Sequence, residues 1–203
     1  ARETAERWRA RASTQPGDAI ADPEVDAVFI CSPTPTHVEL IVAAAQAGKA
    51  IFCEKPVDLD IARVETAVDE VERAGVPFLM AFNRRFDPSF GHLKGQLAAG
   101  VVGKLEMVGI VSRDPGPPPV EYLRQSGGLF RDMMIHDLDM ARWLLGDEPT
   151  KVYATGSALV DPAIGEMGDV DSAVVVLETK DGRLCQISNS RRAAYGYDQR
   201  IEV

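Results

Sequence analysis

The chain is poor in cysteine, histidine and aromatic residues: three, three and 6% of 203 residues, with no glycine-rich phosphate loop of the form G-x-G-x-x-G anywhere. Cys31, Cys53 and Cys185 lack metal-ligand spacing, and any disulfide would leave one of them over. Each sits in an apolar run, so buried free thiols in a reducing cytoplasm are expected, and no metal site. Basic charge is also short, with 22 Lys and Arg against 31 Asp and Glu and a net charge of −9. Arg84-Arg85 and Arg191-Arg192 are pairs and not basic runs, which argues against nucleic acid or an anionic membrane as partner. No apolar stretch approaches the ~20 residues of a membrane span, and no signal-peptide pattern is present. What remains, 45% hydrophobic and 26% charged, is an ordinary globular composition, long enough for one large domain or two small ones. Ala1 already lies inside a helical pattern and is not a methionine, so a start upstream of it is expected.

The first eighty-odd residues alternate helix and strand. Ala5, Trp8 and Ala12 give residues 2–12 a helical spacing. Asp26 to Cys31 is a short continuous apolar run, expected to be a strand buried on both faces. Thr36 is a candidate cap for a helix from His37 to Ala47, closed by Gly48. Ala50 to Cys53 reads as a second strand. A helix over 59–74 would carry Ile61, Val64, Ala67, Val68 and Val71 on one side, and Pro77 to Phe82 reads as a third strand. Strict alternation with short loops implies parallel strands joined by right-handed crossovers, part of a doubly wound Rossmann-type sheet. After Asn83 the rhythm changes, with a boundary near 83–88: residues 1–85 form the later part of a nucleotide-binding domain, 86–203 an α+β domain. The second domain has a helix at 87–99, a strand at 104–112 and a Pro-rich loop from Asp114 to Pro119. After a further helix come strand-like segments at 152–160, 172–178, 183–190 and 198–203, expected to form a large, mainly antiparallel sheet. Asp181-Gly182 reads as a hairpin turn.

Open α/β sheets bind ligands beyond the carboxyl ends of their strands. Ser32 to His37, Glu54-Lys55-Pro56 and Asn83-Arg84-Arg85 follow the three strands and would open on one rim. Solvated turns are the plain alternative for each loop alone. Lys55, on a turn stiffened by Pro56, could donate a hydrogen bond to a substrate oxygen. The segment from Phe130 to Trp143 carries the second group. On one continuous helix Asp132 and His136 share a face, and at 100° per residue Asp139 and Trp143 fall within about 60° of them. Met134, Leu138, Ala141 and Leu145 form an apolar stripe opposite. A carboxylate one turn before an imidazole can orient the ring, and neutral imidazole is a suitable general base. A solvated polar face is the alternative here. His37 reads as a cap or a residue near a cofactor, and His92 as surface.

With Ser32-Pro33-Thr34 and His37, Glu54-Lys55-Pro56, Phe82 to Asp87, and Gly127-Gly128 followed by Asp132-x-x-x-His136-Asp137, the chain resembles the Gfo/Idh/MocA oxidoreductase family over essentially its whole length. Within the family, Ser126 to Trp143 and Asn189 to Arg200 are most similar to the myo-inositol 2-dehydrogenase branch. The resemblance implies NAD-dependent oxidation of a ring secondary alcohol of inositol by hydride transfer, with NADP not excluded. Another sugar or cyclitol dehydrogenase, or a silent sugar-binding or regulatory protein, are the alternatives. It also implies Lys55, Asp132 and His136 as the catalytic group, with His136 taking the hydroxyl proton. Ser32, Thr34, His37, Glu54 and Asn83 would line the cofactor, and Arg85, Asp114, Asp139 and Tyr195 would contact a polyol substrate. By analogy the C-terminal sheet would join subunits in a homo-oligomer. The glycine loop and acidic ribose-binding residue that a dinucleotide needs are expected upstream of Ala1.

Overall fold

The computed structural model describes residues 2–203 and divides the chain into two compact units, Ala1–Ala81 and Phe82–Val203. The first opens with two short helices, α1 (Arg2–Trp8) and α2 (Pro16–Ala21). The expected single helix over 2–12 is therefore shorter, and α2 was not legible. Then follow β1 (Ala27–Ile30), a 3₁₀ turn (Thr34–Thr36), α3 (His37–Gln46), β2 (Ala50–Cys53), α4 (Ile61–Ala74) and β3 (Phe78–Met80). The strands pair in parallel in the order β1-β2-β3, as the alternation requires. Asp60 caps α4 by accepting from the Ala62 amide, and Gly75 ends it in the left-handed conformation. Thr36 does not cap α3, because its hydroxyl donates to the Pro33 carbonyl within the 3₁₀ turn.

Both crossover helices share one core with Ile30, Ile51 and Cys53, so they cover one face of the sheet. This overturns the reading of β1 as buried on both faces: Phe29 is 70% exposed and stacks on Phe52, with Leu79 exposed in the same row. The inward face of α4 is Val64, Ala67 and Val71, while Ile61 and Val68 are exposed. Cys31 is likewise exposed, against expectation, because β1 ends at Ile30 and Cys31 starts the loop. Burial pushes the Cys53 and Cys185 thiols up to about 12, so these two are inert at neutral pH.

The second unit comprises a 3₁₀ turn (Asn83–Phe86), α5 (Pro88–Ala98), β4 (Met107–Arg113), α6 (Val120–Ser126), α7 (Gly128–Asp132), α8 (Ile135–Leu145), β5 (Pro149–Ser157), α9 (Pro162–Glu166), β6 (Ser172–Thr179), β7 (Leu184–Ser190) and β8 (Asp198–Glu202). Its five strands run in the order β5-β6-β7-β4-β8, all antiparallel except the β4–β7 pair. Val108 and Ile110 of β4, Ala173, Val175 and Leu177 of β6, and Cys185 and Ile187 of β7 form the inward face. They pack under Leu129, Met134, Met140, Ala141, Leu144 and Leu145. Tyr153, Val174 and Val176 point the other way and are exposed. Gly182 makes the expected hairpin turn, its amide donating to the Thr179 carbonyl.

The expected single helix from Gly128 onward is in fact two, broken at Met133-Met134. Both residues keep right-handed helical dihedrals, but the Met134 amide reaches back to the Leu129 carbonyl and the Asp137 amide only to Met134. Asp132 thus ends α7, and His136 is the second residue of α8. At the head of α7, Gly128 has φ +80°, and a Cβ there would lie 2.5 Å from Asp169 Oδ1, the atom that accepts the Leu129 amide. Only glycine fits. Gly128→Ala should lower unfolding stability by about 1–3 kcal/mol through backbone strain, measured by urea denaturation; an unchanged midpoint would show that the loop relaxes freely.

Candidate active site

In the first unit, parallel pairing brings the loops after β1 and β2 to the same edge of the sheet, and the Glu54 amide donates to the Ile30 carbonyl (2.9 Å) to extend the ladder. Ser32, Thr34, His37, Glu54 and Lys55 all lie along this edge. His37 is only 1% exposed, and its ring spans the two loops: Nδ1 lies 2.8 Å from the Pro56 carbonyl oxygen and Nε2 2.7 Å from that of Ser32. Both polar edges of the ring are engaged by protein, so the imidazole braces the turn that carries Lys55. Ser32 and Thr36 link their hydroxyls, while Thr34 opens the 3₁₀ turn. The Lys55 amide donates a long bond to its own neighbour, Glu54 Oε2, at 3.3 Å, and the Lys55–Pro56 peptide is cis.

In the second unit the site grows out of the parallel β4–β7 pair. Along β4 the inward positions read Val108, Ile110, Ser112; along β7 they read Cys185, Ile187, Asn189, in register. Each strand therefore turns from apolar to polar toward its carboxyl end, and Asp114 and Arg191 come two residues later. Ser112 and Asn189 meet Asp137 of α8, which is fully buried. Ser112 Oγ donates to Asp137 Oδ1 (2.6 Å), Asn189 Nδ2 to Oδ2 (2.7 Å), and Arg84 adds its guanidinium as counter-ion. Arg85 makes the parallel choice. It grips Asp139 with both Nε (2.8 Å) and Nη2 (2.6 Å), and its guanidinium lies 6.0 Å from the centre of the Trp143 ring. Consecutive arginines thus neutralise carboxylates two apart on α8.

Asp132 is buried too, which overturns the solvated-face alternative for it and for Asp139. Tyr122 of α6 donates its hydroxyl to Asp132 Oδ1 (2.7 Å), and Arg191 Nη2 donates to Oδ2 (3.3 Å). Burial first, then the bond to Asp132, push the Tyr122 hydroxyl up to about 12. His136, one turn on, is half-buried, and the Phe82 ring meets it edge-on at 6.4 Å between centroids. Asp114 is half-buried, and burial raises its carboxyl above the usual range while the Arg191 charge pulls it down. Tyr195 is exposed, its hydroxyl on Asp198 Oδ2 (2.9 Å). Asn83 opens the 3₁₀ turn and is exposed.

The second unit therefore brings Asp132 and Asp114 to Arg191, close to the Asp137–Arg84 pair, and gives Arg85 and Asp139 to each other. Sequence reasoning named Arg84 and Asp137 within their motifs without giving them a role, and missed Ser112, Tyr122, Asn189 and Arg191. Three of them, Ser112, Asn189 and Arg191, had a signal: the period-two patterns V-x-I-x-S-x-D and C-x-I-x-N-x-R turn polar on their inward positions. Among the described residues no cluster of His, Cys, Asp and Glu could hold a metal ion, and no helix is long and apolar enough to cross a membrane.

Residues 1–82 match the family model described as an oxidoreductase family with an NAD-binding Rossmann fold, and residues 90–203 match the GFO/IDH/MocA C-terminal domain. A curated relative from Thermotoga maritima, named a myo-inositol 2-dehydrogenase, is 54% identical over 193 residues, 95% of this chain and 58% of the relative. A crystal structure of a myo-inositol dehydrogenase from Corynebacterium glutamicum superposes with a TM-score of 0.94 at 43% identity, covering 99% of this chain and 60% of that one. A scyllo-inositol dehydrogenase from Lactobacillus casei, crystallised with NAD(H) and scyllo-inositol, gives a TM-score of 0.83 at 32% identity over 92% of this chain and 57% of that one. The chain thus spans under two thirds of each of these relatives.

Removing the charge from Asp137 would leave the Arg84 guanidinium buried beside it without its counter-ion. Asp137→Asn should destabilise the chain by about 3–5 kcal/mol, read by chemical denaturation; a loss below about 1 kcal/mol would show that the buried pair adds little.

Proposed function

This chain belongs to the GFO/IDH/MocA oxidoreductase family, and from that membership we propose that the whole protein is an NAD-dependent inositol dehydrogenase, oxidising myo-inositol to 2-keto-inositol. The observation that carries this reading is the buried Asp132, held by two donors one turn before His136. A binding protein would have no use for a base so placed. The 54% identity to a named myo-inositol 2-dehydrogenase supports the substrate, and the scyllo-inositol bound in the Lactobacillus casei relative makes that isomer the second candidate.

In this reading His136 takes the proton of the ring hydroxyl as the carbon–hydrogen bond breaks. Asp132 orients the imidazole and balances its charge once protonated. Lys55 donates to the same oxygen and favours its anionic form. The bound nicotinamide supplies the hydride acceptor. The hydroxyls of Ser32 and Thr34, the Glu54 carboxylate and the Asn83 amide suit it as hydrogen-bonding partners. His37 serves by bracing, since both its ring nitrogens are engaged by carbonyls. Inositol is uncharged and all hydroxyl, so Arg85, Asp114, Asp139 and Tyr195 would orient it by hydrogen bonds. Exposed Tyr153, Val174 and Val176 support a homo-oligomer through the second sheet, and the reading places the enzyme in the cytoplasm, where buried thiols such as Cys53 and Cys185 stay reduced.

The test is nicotinamide absorbance with the full-length protein, NAD and a panel of cyclitols and sugars. Reduction with myo-inositol above all others is expected, and reduction with none would end the proposal. His136→Ala should cut turnover by roughly 10²–10⁴-fold with NAD affinity nearly unchanged, and Lys55→Met should suppress oxidation as well. Wild-type rates in either variant would remove that residue from the mechanism.

A further inference from the structure

We infer that Tyr122 and Arg191 are positioning residues for this reaction, fixing both the place and the charge of Asp132; the inference rests on the dehydrogenase reading above. Two separate elements converge on the one carboxylate at the end of a third. Asp132 ends α7, Tyr122 comes from the middle of α6, and Arg191 follows the last residue of β7. The hydroxyl of Tyr122 donates to Oδ1 at 2.7 Å and Nη2 of Arg191 to Oδ2 at 3.3 Å, so each carboxylate oxygen has a donor of its own. Together they leave the carboxylate little freedom to turn.

Arg191 is the more unusual of the two. It is 1% exposed, and its backbone is tied by its amide to the Asp171 carbonyl at 2.8 Å. Its Nε is buried without a hydrogen-bond partner. A guanidinium buried for stability alone would satisfy its whole fork, because an unmatched buried donor is costly. This one forgoes a bond at Nε while its charge acts on two carboxylates, Asp132 and Asp114. Both belong to the candidate site. The other charged groups close by, Asp137 with Arg84, are already paired with each other.

The consequence for chemistry follows from electrostatics. A full negative charge on Asp132, one turn from His136, favours the protonated imidazole and so strengthens the base. The Tyr122 bond and the Arg191 charge each withdraw part of that negative charge. They temper the base so that it is unprotonated, and able to accept the substrate proton, near neutral pH. Asp132 then orients the ring without holding its proton too tightly.

The test reads the His136 ring directly. Its titration is followed by NMR in the full-length protein, with the signal assigned by its loss in His136→Gln. Tyr122→Phe and Arg191→Met should each raise the titration midpoint by about 0.3–1 pH unit. Arg191→Lys, which keeps the charge, should restore most of the wild-type value. In parallel, the acid limb of kcat/KM should move up by the same amount and kcat fall by up to about 2–10-fold at neutral pH, with KM for NAD unchanged. A merely structural role would lower kcat or stability and leave the midpoint where it was. An unmoved midpoint in folded Tyr122→Phe overturns the inference. That variant removes one oxygen from an exposed side chain, so it stays informative even where Arg191→Met does not fold. Because the NMR titration needs no turnover, a protein that oxidises no cyclitol would sink the dehydrogenase reading while the titration still decides the role of these two residues.

Discussion

Three carboxylates between Asp132 and Asp139 leave water when the second unit folds, and each is met by an arginine from elsewhere in the chain: Arg191 for Asp132, Arg84 for Asp137, Arg85 for Asp139. Desolvating an ion costs several kcal/mol even after relaxation, and its partner offsets that only in good geometry with further hydrogen bonds. Ser112 and Asn189 supply those bonds to Asp137, Tyr122 supplies one to Asp132, and Arg85 grips Asp139 with two nitrogens. The pairs thus act as locators. His136 lies between the first and second of them in sequence, so its backbone is set from both sides by links to the 3₁₀ turn after Phe82 and to the end of β7. An apolar core alone would specify the rotation of α8 less uniquely, since apolar cores lose uniqueness before they lose stability.

The architecture was legible where periodicity carries it. Alternating apolar strands and helices imply β1-β2-β3 in parallel, Asp60 and Gly75 bracket α4, and Asp181-Gly182 turns a hairpin. Burial on a particular face was less legible, because an apolar run such as Ala27 to Ile30 does not say whether one layer of helix covers it or two. The break at Met133-Met134 left no mark either, as both methionines suit a helix interior. Asp132 and His136 were found because they stand four apart. Their partners were not, because Tyr122 and Arg191 reach Asp132 from ten and fifty-nine residues away, and sequence spacing carries no such information.

His37 shows the same limit in the first unit. Within Ser32-Pro33-Thr34-Pro35-Thr36-His37 the ring reads equally as a helix cap or as a neighbour of the cofactor. In the folded chain the ring is buried, and both nitrogens face backbone carbonyls from two different loops. It ties the turn bearing Lys55 to the loop after β1. A site of this kind needs such bracing, because loops displaced by even 1 Å lose much of the benefit of orientation.

The location of the second unit's polar cluster depends on strand direction. Every neighbouring pair in its sheet is antiparallel except β4 and β7. Antiparallel partners send their carboxyl ends to opposite edges, so polar residues at the ends of two such strands would never meet. The parallel pair sends both ends to one edge, where Ser112 stands beside Asn189 and the strands continue to Asp114 and Arg191. Polar groups at buried strand ends are costly unless each finds a partner. Placing two strands' worth of them side by side, under the carboxylates of α7 and α8, makes those partners available. The crossover connection needed to make β4 and β7 parallel is the segment from 114 to 183, which contains α7 and α8 themselves. The chain that supplies Asp132, His136 and Asp137 is therefore also the link that brings Asp114 and Arg191 to the same edge.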